Sequence, residues 1–326
     1  MNRYRLLEFL RARQGEWCPP GNLATHLRTT AARLARAAAE LRQLGYRVEE
    51  DTTRGLRLTG MEDRLLHYEI VRDLGTQVIG RDVICMEETG STNDVAWEHW
   101  RRGARDGLTV LAEEQTAGRG RFGRRWECPP RAGVLMSVLL RPGLARAQTT
   151  LLTVLGAVGV VEALQESFRL PALIRWPNDI VVRGRKMGGI LVEAREAAGR
   201  TDFVLGLGLN VNLTESQMPA ELRPIATSVQ MELGHPAERI AVLRALLRAL
   251  DRWYAELRAG HYHFIGNHWR QYSATLGERV TIEENGRRYT GRVVDLALEE
   301  GLILRLDSGA TRVFDGTRVT LVREGS

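Results

Sequence analysis

Lysine is all but missing from this chain. Lys186 stands alone among 46 lysine and arginine residues. Arginine is a planar fork and lysine a compact charge on a flexible stem. A position where lysine alone survives points to a task the fork is too wide for, such as reaching one phosphate oxygen or a bond being made. Cysteine is scarce too: Cys18, Cys85 and Cys128 are odd in number and far apart. That excludes a disulfide framework and the paired spacing of a zinc site, and suits a reducing compartment. His261 and His263 have no second ligand pair, so no metal centre is read. No apolar signal core follows Met1-Asn2-Arg3-Tyr4-Arg5 and no apolar run reads as membrane-spanning, so the expected location is the cytoplasm. Repeats and low-complexity tracts are absent.

What is present is ordinary for a globular protein in bulk, with 44% hydrophobic and 26% charged residues. A chain of 326 residues has room for two or three domains. The formal charge of +6 favours anionic partners, although arginine richness throughout the chain makes net charge alone a weak argument for nucleic acid.

The densest signal is Glu114-Gln115-Thr116-Ala117-Gly118-Arg119-Gly120-Arg121-Phe122-Gly123-Arg124-Arg125-Trp126. Glycines let a ligand approach the backbone, and the crowded arginines repel one another until an anion joins them. Gly118, Gly120 and Gly123 satisfy G-x-G-x-x-G, but Pro129 and Pro130 stand where the dinucleotide motif needs a helix. No Gly-Lys-Ser/Thr ends the segment, so it is not a Walker A loop. A second cation-and-glycine segment is Arg185-Lys186-Met187-Gly188-Gly189.

Along the chain, helices are expected at 4–14, 22–27 (with Asn22 as N-cap) and 30–44. A hairpin at 46–49 and 55–58 follows. This is the pattern of a winged helix-turn-helix over residues 1–62, with Arg33, Arg36 and Arg42 on the third helix and Arg54 at the hairpin tip suited to DNA phosphates. Ala31, Ala32, Ala35, Ala37 and Ala39 offer nothing to base edges, so a folding or interaction module is an equal reading. A linking helix is expected from Met61 to about Gly80. Residues 63–275 then alternate strands (83–87, 108–113, 133–140, 174–182, 189–196, 203–212) with helices (91–100, 146–168, 237–258). Ser91 and Asp94 fit a capping arrangement, or else Ser91, Thr92 and Asn93 offer neutral polar groups to a ligand. Trp176-Pro177-Asn178-Asp179 is a turn between strands, with Asn178 and Asp179 weak candidates for positioning a metal or nucleotide. Residues 276–326 carry short alternating strands, a small independent β domain. The fold class is therefore α+β.

Cations beside bare amides suit a reaction between two anions, such as a carboxylate attacking the α-phosphate of ATP, which needs no protein nucleophile. Ser-Thr-Asn, Gln-Thr-Ala-Gly-Arg-Gly-Arg-x-Gly-Arg, Trp-Pro-Asn-Asp and Arg-Lys-x-Gly-Gly-Ile-Leu-Val-Glu, in this order, resemble biotin protein ligases of the bifunctional ligase/repressor type over nearly the whole chain. The resemblance implies a central mixed-sheet catalytic domain akin to class II synthetase and biotinyl/lipoyl ligase folds, and a C-terminal SH3-like β-barrel. It implies synthesis of biotinyl-5′-AMP from biotin and ATP with Mg²⁺, then transfer of biotin to a lysine of the biotin carboxyl carrier protein of acetyl-CoA carboxylase. Matched positions imply that Ser91, Thr92, Asn93 and Gln115 meet the biotin head, while Arg119, Gly120 and Arg121 wrap its carboxylate and the phosphate. Lys186 would contact the α-phosphate and anhydride oxygen, making Lys186 and Arg121 the catalytic pair. Gly118, Arg124 and Asn210 would serve the nucleotide. The repressor form implies operator DNA and a homodimer when the adenylate is bound. No membrane partner is expected. The loop 118–125 is expected to be disordered when empty and to close over the adenylate.

Two rival readings remain at this stage. A lipoate-type ligase shares the chemistry, with the Gly-Arg-Gly-Arg signature favouring biotin. A non-catalytic transcription factor sensing a vitamin is the other, and Lys186 argues against it.

Overall fold

The computed structural model describes residues 2–13, 15–298 and 300–322, and the chain divides into two compact units at Leu66/His67. The first unit holds helices α1 (Arg3–Arg11), α2 (Pro20–Leu27) and α3 (Ala31–Gln43), then antiparallel strands β1 (Tyr46–Asp51) and β2 (Gly55–Met61). Its core is leucine: Leu6, Leu7, Leu10, Leu23, Leu34 and Leu41 are buried at helical spacing. Asn22 is not the N-cap expected. Helix α2 starts two residues earlier with proline in its first turn, where a missing N–H costs nothing. Gln14, where the first helix was expected to end, lies outside the described residues.

In the second unit the expected linking helix shrinks to α4 (His67–Val71). Gly75 and Gly80 adopt positive φ, and side chains of a later helix satisfy the irregular backbone instead. Asp251 accepts the amides of Gln77, Val78 and Ile79 at 2.7, 2.9 and 2.8 Å. Arg244 and Arg248 donate to carbonyls between Glu69 and Leu74.

Next come β3 (Val83–Thr89), α5 (Thr92–Arg101), β4 (Thr109–Gln115), β5 (Gly133–Leu140), α6 (Thr149–Phe168), β6 (Ala172–Arg175), β7 (Asp179–Val182), β8 (Arg185–Ala197) and β9 (Arg200–Asn210). Helices α7 (Val229–Leu233), α8 (Arg239–Arg258) and α9 (Tyr262–Gln271) complete this part. The strands form one seven-stranded sheet in the order β3-β4-β5-β9-β8-β7-β6. Only β3 and β4 run parallel, so the sheet is mixed. Strand β8 begins at Arg185, four residues before expectation, which places Lys186 on a strand.

Helix α6 corrects another expectation, since it is long and apolar enough to cross a membrane by length and composition. Twelve of its residues are buried because sheet and helix α8 cover it from different sides. A helix apolar all round is what such a position demands. Along β9, Leu205 meets α6 at Gly156, and the period of two turns Gly206 and Gly208 to the opposite face. That face carries the site.

The C-terminal strands β10 (Arg279–Glu284), β11 (Arg287–Ala297), β12 (Gly301–Leu306), β13 (Thr311–Phe314) and β14 (Thr320–Val322) form an antiparallel sheet ordered β13-β12-β11-β10-β14. Among the described residues β13 and β14 remain its two edges, so the expected barrel is an open sheet here.

Candidate active site

A cleft of about 1160 Å³ opens on the face of the sheet where β9 carries its glycines. Its lining includes every residue the sequence assigned to biotin, Ser91, Thr92, Asn93, Gln115, Arg119, Gly120, Arg121 and Lys186, together with Arg124 and Asn210. Gly118 is not among the lining residues. It is buried behind them, and a Cβ there would meet the Trp126 carbonyl oxygen at 2.5 Å.

At one end the start of α5 is built for recognition more than for capping. Ser91 occupies the N-cap position but makes no side-chain capping bond, and Asp94 is drawn to Arg119. The Gln115 side-chain carbonyl accepts from the Thr92 amide (2.7 Å) and hydroxyl (3.0 Å). The Ser137 hydroxyl lies 2.6 Å from both Thr92 Oγ1 and Asn93 Oδ1. Three buried polar atoms around the cleft have no partner: Asn93 Nδ2, Asn210 Oδ1 and Trp126 Nε1. Leaving such an atom unpaired costs about 1–3 kcal/mol, so the cleft is organised for a ligand that supplies polar groups.

The arginine-glycine loop is folded in this structure. Arg119 and Arg125 form an isolated bridge, and the Trp126 amide donates to the Gly118 carbonyl at 3.0 Å. Acidic side chains relieve the repulsion the sequence suggested. Arg119 forks onto Asp94 at 2.6 and 2.8 Å and reaches Glu193 at 3.2 Å. The Arg119 hydrogen bond holds the Asp94 carboxyl below the usual carboxylate range. Phe122 sits at the tip with φ 55° and lies 55% exposed, a position where bulky residues are rare.

Arg121 is turned toward the C-terminal sheet. Its guanidinium donates to the carbonyls of Gly316 and Val319 and, at 3.3 Å, to Asn178 Oδ1. Burial pulls its pKa down. Lys186 pairs with Asp179 at 2.5 Å, and its ammonium stands 5.6 Å from the centre of the Trp126 ring. Asn210 donates to the Thr227 carbonyl at 3.1 Å. Burial pushes the Cys128 thiol up to about 11, so this cysteine in the cleft wall stays protonated at neutral pH and is no nucleophile.

Sequence reasoning missed Trp126, Ser137, Gly206 and Gly208. A Cβ on Gly206 would stand 2.5 Å from Asn93 Oδ1, and one on Gly208 would stand 2.4 Å from the Trp126 ring. Gly-Leu-Gly inside an otherwise apolar strand marks a close approach and was the available signal. The residues assigned to DNA lie elsewhere, in the first unit. Arg33 is exposed on α3, Arg36 pairs with Glu40 at 3.1 Å, and Arg54 pairs with Asp51 at 3.2 Å while covering the Trp17 ring. Arg42 is tied to the Val48 carbonyl at 2.7 Å and to Glu50, which makes it a brace between helix and hairpin.

Residues 85–210 match the biotin/lipoate A/B protein ligase family. The bifunctional ligase/repressor BirA of Bacillus subtilis is 33% identical over 276 residues, which span 84% of this chain and 85% of that protein. The chain belongs to the BirA family of biotin protein ligases. Another member, the biotin–[acetyl-CoA-carboxylase] ligase of Mycobacterium tuberculosis, is 34% identical over 69% of this chain and 85% of its own length. Among solved structures, the biotin protein ligase of Aquifex aeolicus in complex with biotin and ATP superposes with a TM-score of 0.66 at 25% identity, over 75% of this chain and all of that one. In this family setting, a cleft lined by a polar recognition end and a cationic end suits a ligand of two unlike halves.

Proposed function

We infer that the chain is an ATP-dependent biotin–protein ligase. The observation that carries this reading is one cleft holding two sets of groups: the polar side chains of Ser91, Thr92 and Asn93 with the unpaired buried Asn93 amide, and the cations Arg119, Arg124 and Lys186. The ureido ring of biotin has donors and an acceptor for the first set. Its carboxylate and the triphosphate are anions for the second.

In the first half-reaction a biotin carboxylate oxygen attacks the α-phosphorus of ATP. The bond to the pyrophosphate oxygen breaks, and the product is a mixed anhydride, biotinyl-5′-AMP. Two anions must meet, so the protein's contribution is charge neutralisation and alignment. Lys186 faces the α-phosphate and the anhydride oxygen, exchanging Asp179 for phosphate. Arg119 and Arg121 hold carboxylate and phosphate, Arg124 and Asn210 hold the nucleotide, and Gly120 brings the backbone close, while Gly118 lets the loop pack against the Trp126 carbonyl. A charge-assisted hydrogen bond contributes about 1.5–3 kcal/mol, so two or three formed only in the transition state give several orders of magnitude in rate. In the second half-reaction a lysine amine of the carrier domain attacks the acyl carbon and AMP leaves.

ATP arrives with Mg²⁺. Among the described residues no three His, Cys, Asp or Glu side chains gather into a metal cage. Asp179 lines the cleft as the partner of Lys186. The residues therefore fit an ion carried mainly by phosphate oxygens, and no step is assigned to it. The carrier protein is the biotin carboxyl carrier protein of acetyl-CoA carboxylase, the enzyme that the name of the Mycobacterium tuberculosis relative carries. Residues 1–62 form a winged helix-turn-helix and 63–275 the catalytic domain, while 276–326 form an SH3-like module whose last four residues lie outside those described. Binding of operator DNA, and a homodimer formed with the adenylate, belong to the same reading.

The test is transfer of labelled biotin to a carrier domain. Label should move only with ATP present and only to the acceptor lysine. Failure to label a competent acceptor would overturn the reading.

A further inference from the structure

Glu232 has no place in the chemistry above, yet its side chain is fully buried. One carboxylate oxygen accepts from Arg185 at 2.7 Å and from the Thr227 hydroxyl at 2.6 Å, and the other takes Arg183. Arg183 and Arg185 lie just before Lys186 in the chain and Thr227 lies on the segment paired to one side of it, while Val181 of β7 pairs with the other side. Arg183 sits at positive φ in the turn between β7 and β8, and Arg185 opens β8. Thr227 belongs to the crossing segment that pairs with Lys186 itself. The Lys186 amide donates to the Ile225 carbonyl, and the Thr227 amide donates back to the Lys186 carbonyl, both at 2.8 Å. The Thr227 carbonyl in turn receives Asn210.

Arg183, Arg185 and Lys186 are three cations within four residues, and left alone they would compete for the same anion. A single buried carboxylate takes the two arginines out of that competition. Lys186 remains as the cation presented to Asp179 and the cleft. A buried charge of this kind holds geometry strongly when paired and is costly when one partner is lost. Nothing else in α7, a helix of only five residues, accounts for the arrangement.

We propose that Glu232 is a positioning residue for adenylate formation: it sequesters Arg183 and Arg185 and locks the 225–227 segment onto β8, so that of these three cations only the Lys186 ammonium meets the α-phosphate. The inference rests on the ligase reading and on the place of Lys186 in it. It does not involve the biotin end, where α5 and β4 set the contacts.

The experiment is a double-mutant cycle on the full chain, with E232Q, K186Q and the pair, read by single-turnover formation of biotinyl-5′-AMP and by biotin affinity. E232Q keeps the shape and removes the charge. It should slow the chemical step about tenfold while leaving the biotin Kd within about twofold. In the K186Q background the same change should cost less than about twofold, because there is no ammonium left to aim. A role confined to folding would instead slow both backgrounds equally, and that result overturns the inference. A slow K186Q beside a normal E232Q also overturns it while sparing the ligase reading. A normal K186Q removes Lys186 from the mechanism and the inference with it, whereas wild-type protein that forms no adenylate removes the ligase reading. Should E232Q not fold, T227V removes one arm of the same hub and runs through the same cycle, with an expected loss of about threefold that vanishes without Lys186.

Discussion

At the scale of single residues, the argument turns on how each cation is held before substrate arrives. Lys186 is compact enough to share the space beside Gly189 with Asp179, since a Cβ on that glycine would lie 3.5 Å from both Lys186 Cε and Nζ. An arginine keeps the charge but brings a wide fork into that space. K186R should therefore slow biotin-dependent pyrophosphate exchange by about a hundredfold or more. A rate near wild type would remove Lys186 from the mechanism. Arg119 is held by Asp94, whose carboxyl is kept below its usual range by that bond. The sign follows directly: a depressed carboxyl contributes above its unfolded pKa of about 3.9, and the contribution fades as pH falls through the folded value. D94N should release Arg119 at neutral pH, and the 118–125 loop should be cut faster by protease than in wild type. Biotin with ATP should restore protection. Equal cleavage in all four samples would show that Asp94 does not anchor the loop.

The elements show why some of this was legible beforehand and some was not. Helices α5 and α8 announce themselves by period, and strands β4, β5 and β9 and helix α6 as apolar runs of strand or helix length whose ends are marked by glycine, proline or charge. The linking helix failed for the opposite reason: its amides are satisfied by Asp251, 172–174 residues away, and no local pattern encodes such a bond. Ser91 looked like a cap by spacing, but Asp94 is claimed by Arg119 and Ser91 makes no capping bond. Ion pairing across the fold decided that contest. Gly206 and Gly208 are visible as residues, but only the sheet order puts them under Asn93 and Trp126. G206A would drive a methyl into Asn93 Oδ1, and overpacking of this kind costs about 1–3 kcal/mol. Titration should therefore find biotin bound about tenfold more weakly, with ATP affinity little changed. Unaltered biotin binding would show that Asn93 does not meet the vitamin.

For the whole molecule, the two units carry different degrees of support. In the second unit, residues 85–210 match the biotin/lipoate ligase family, and a biotin protein ligase structure superposes over 75% of the chain. The first unit has the helices and hairpin of a DNA-binding module, yet Arg36, Arg42 and Arg54 each have an acidic neighbour. If the unit binds DNA through Arg33, Arg36 and Arg54, replacing Arg33 and Arg36 with alanine should lower the slope of log K against log salt by about 2. An unchanged slope would mean that the alanine-rich α3 faces away from the phosphates.

The account stands most directly on adenylate formation in the cleft. With purified protein, exchange of labelled pyrophosphate into ATP should depend on biotin, remain unaffected by an equal concentration of lipoate, and fall by about a hundredfold or more in K186Q. Exchange supported by lipoate and not by biotin, or no exchange with either acid, would contradict it.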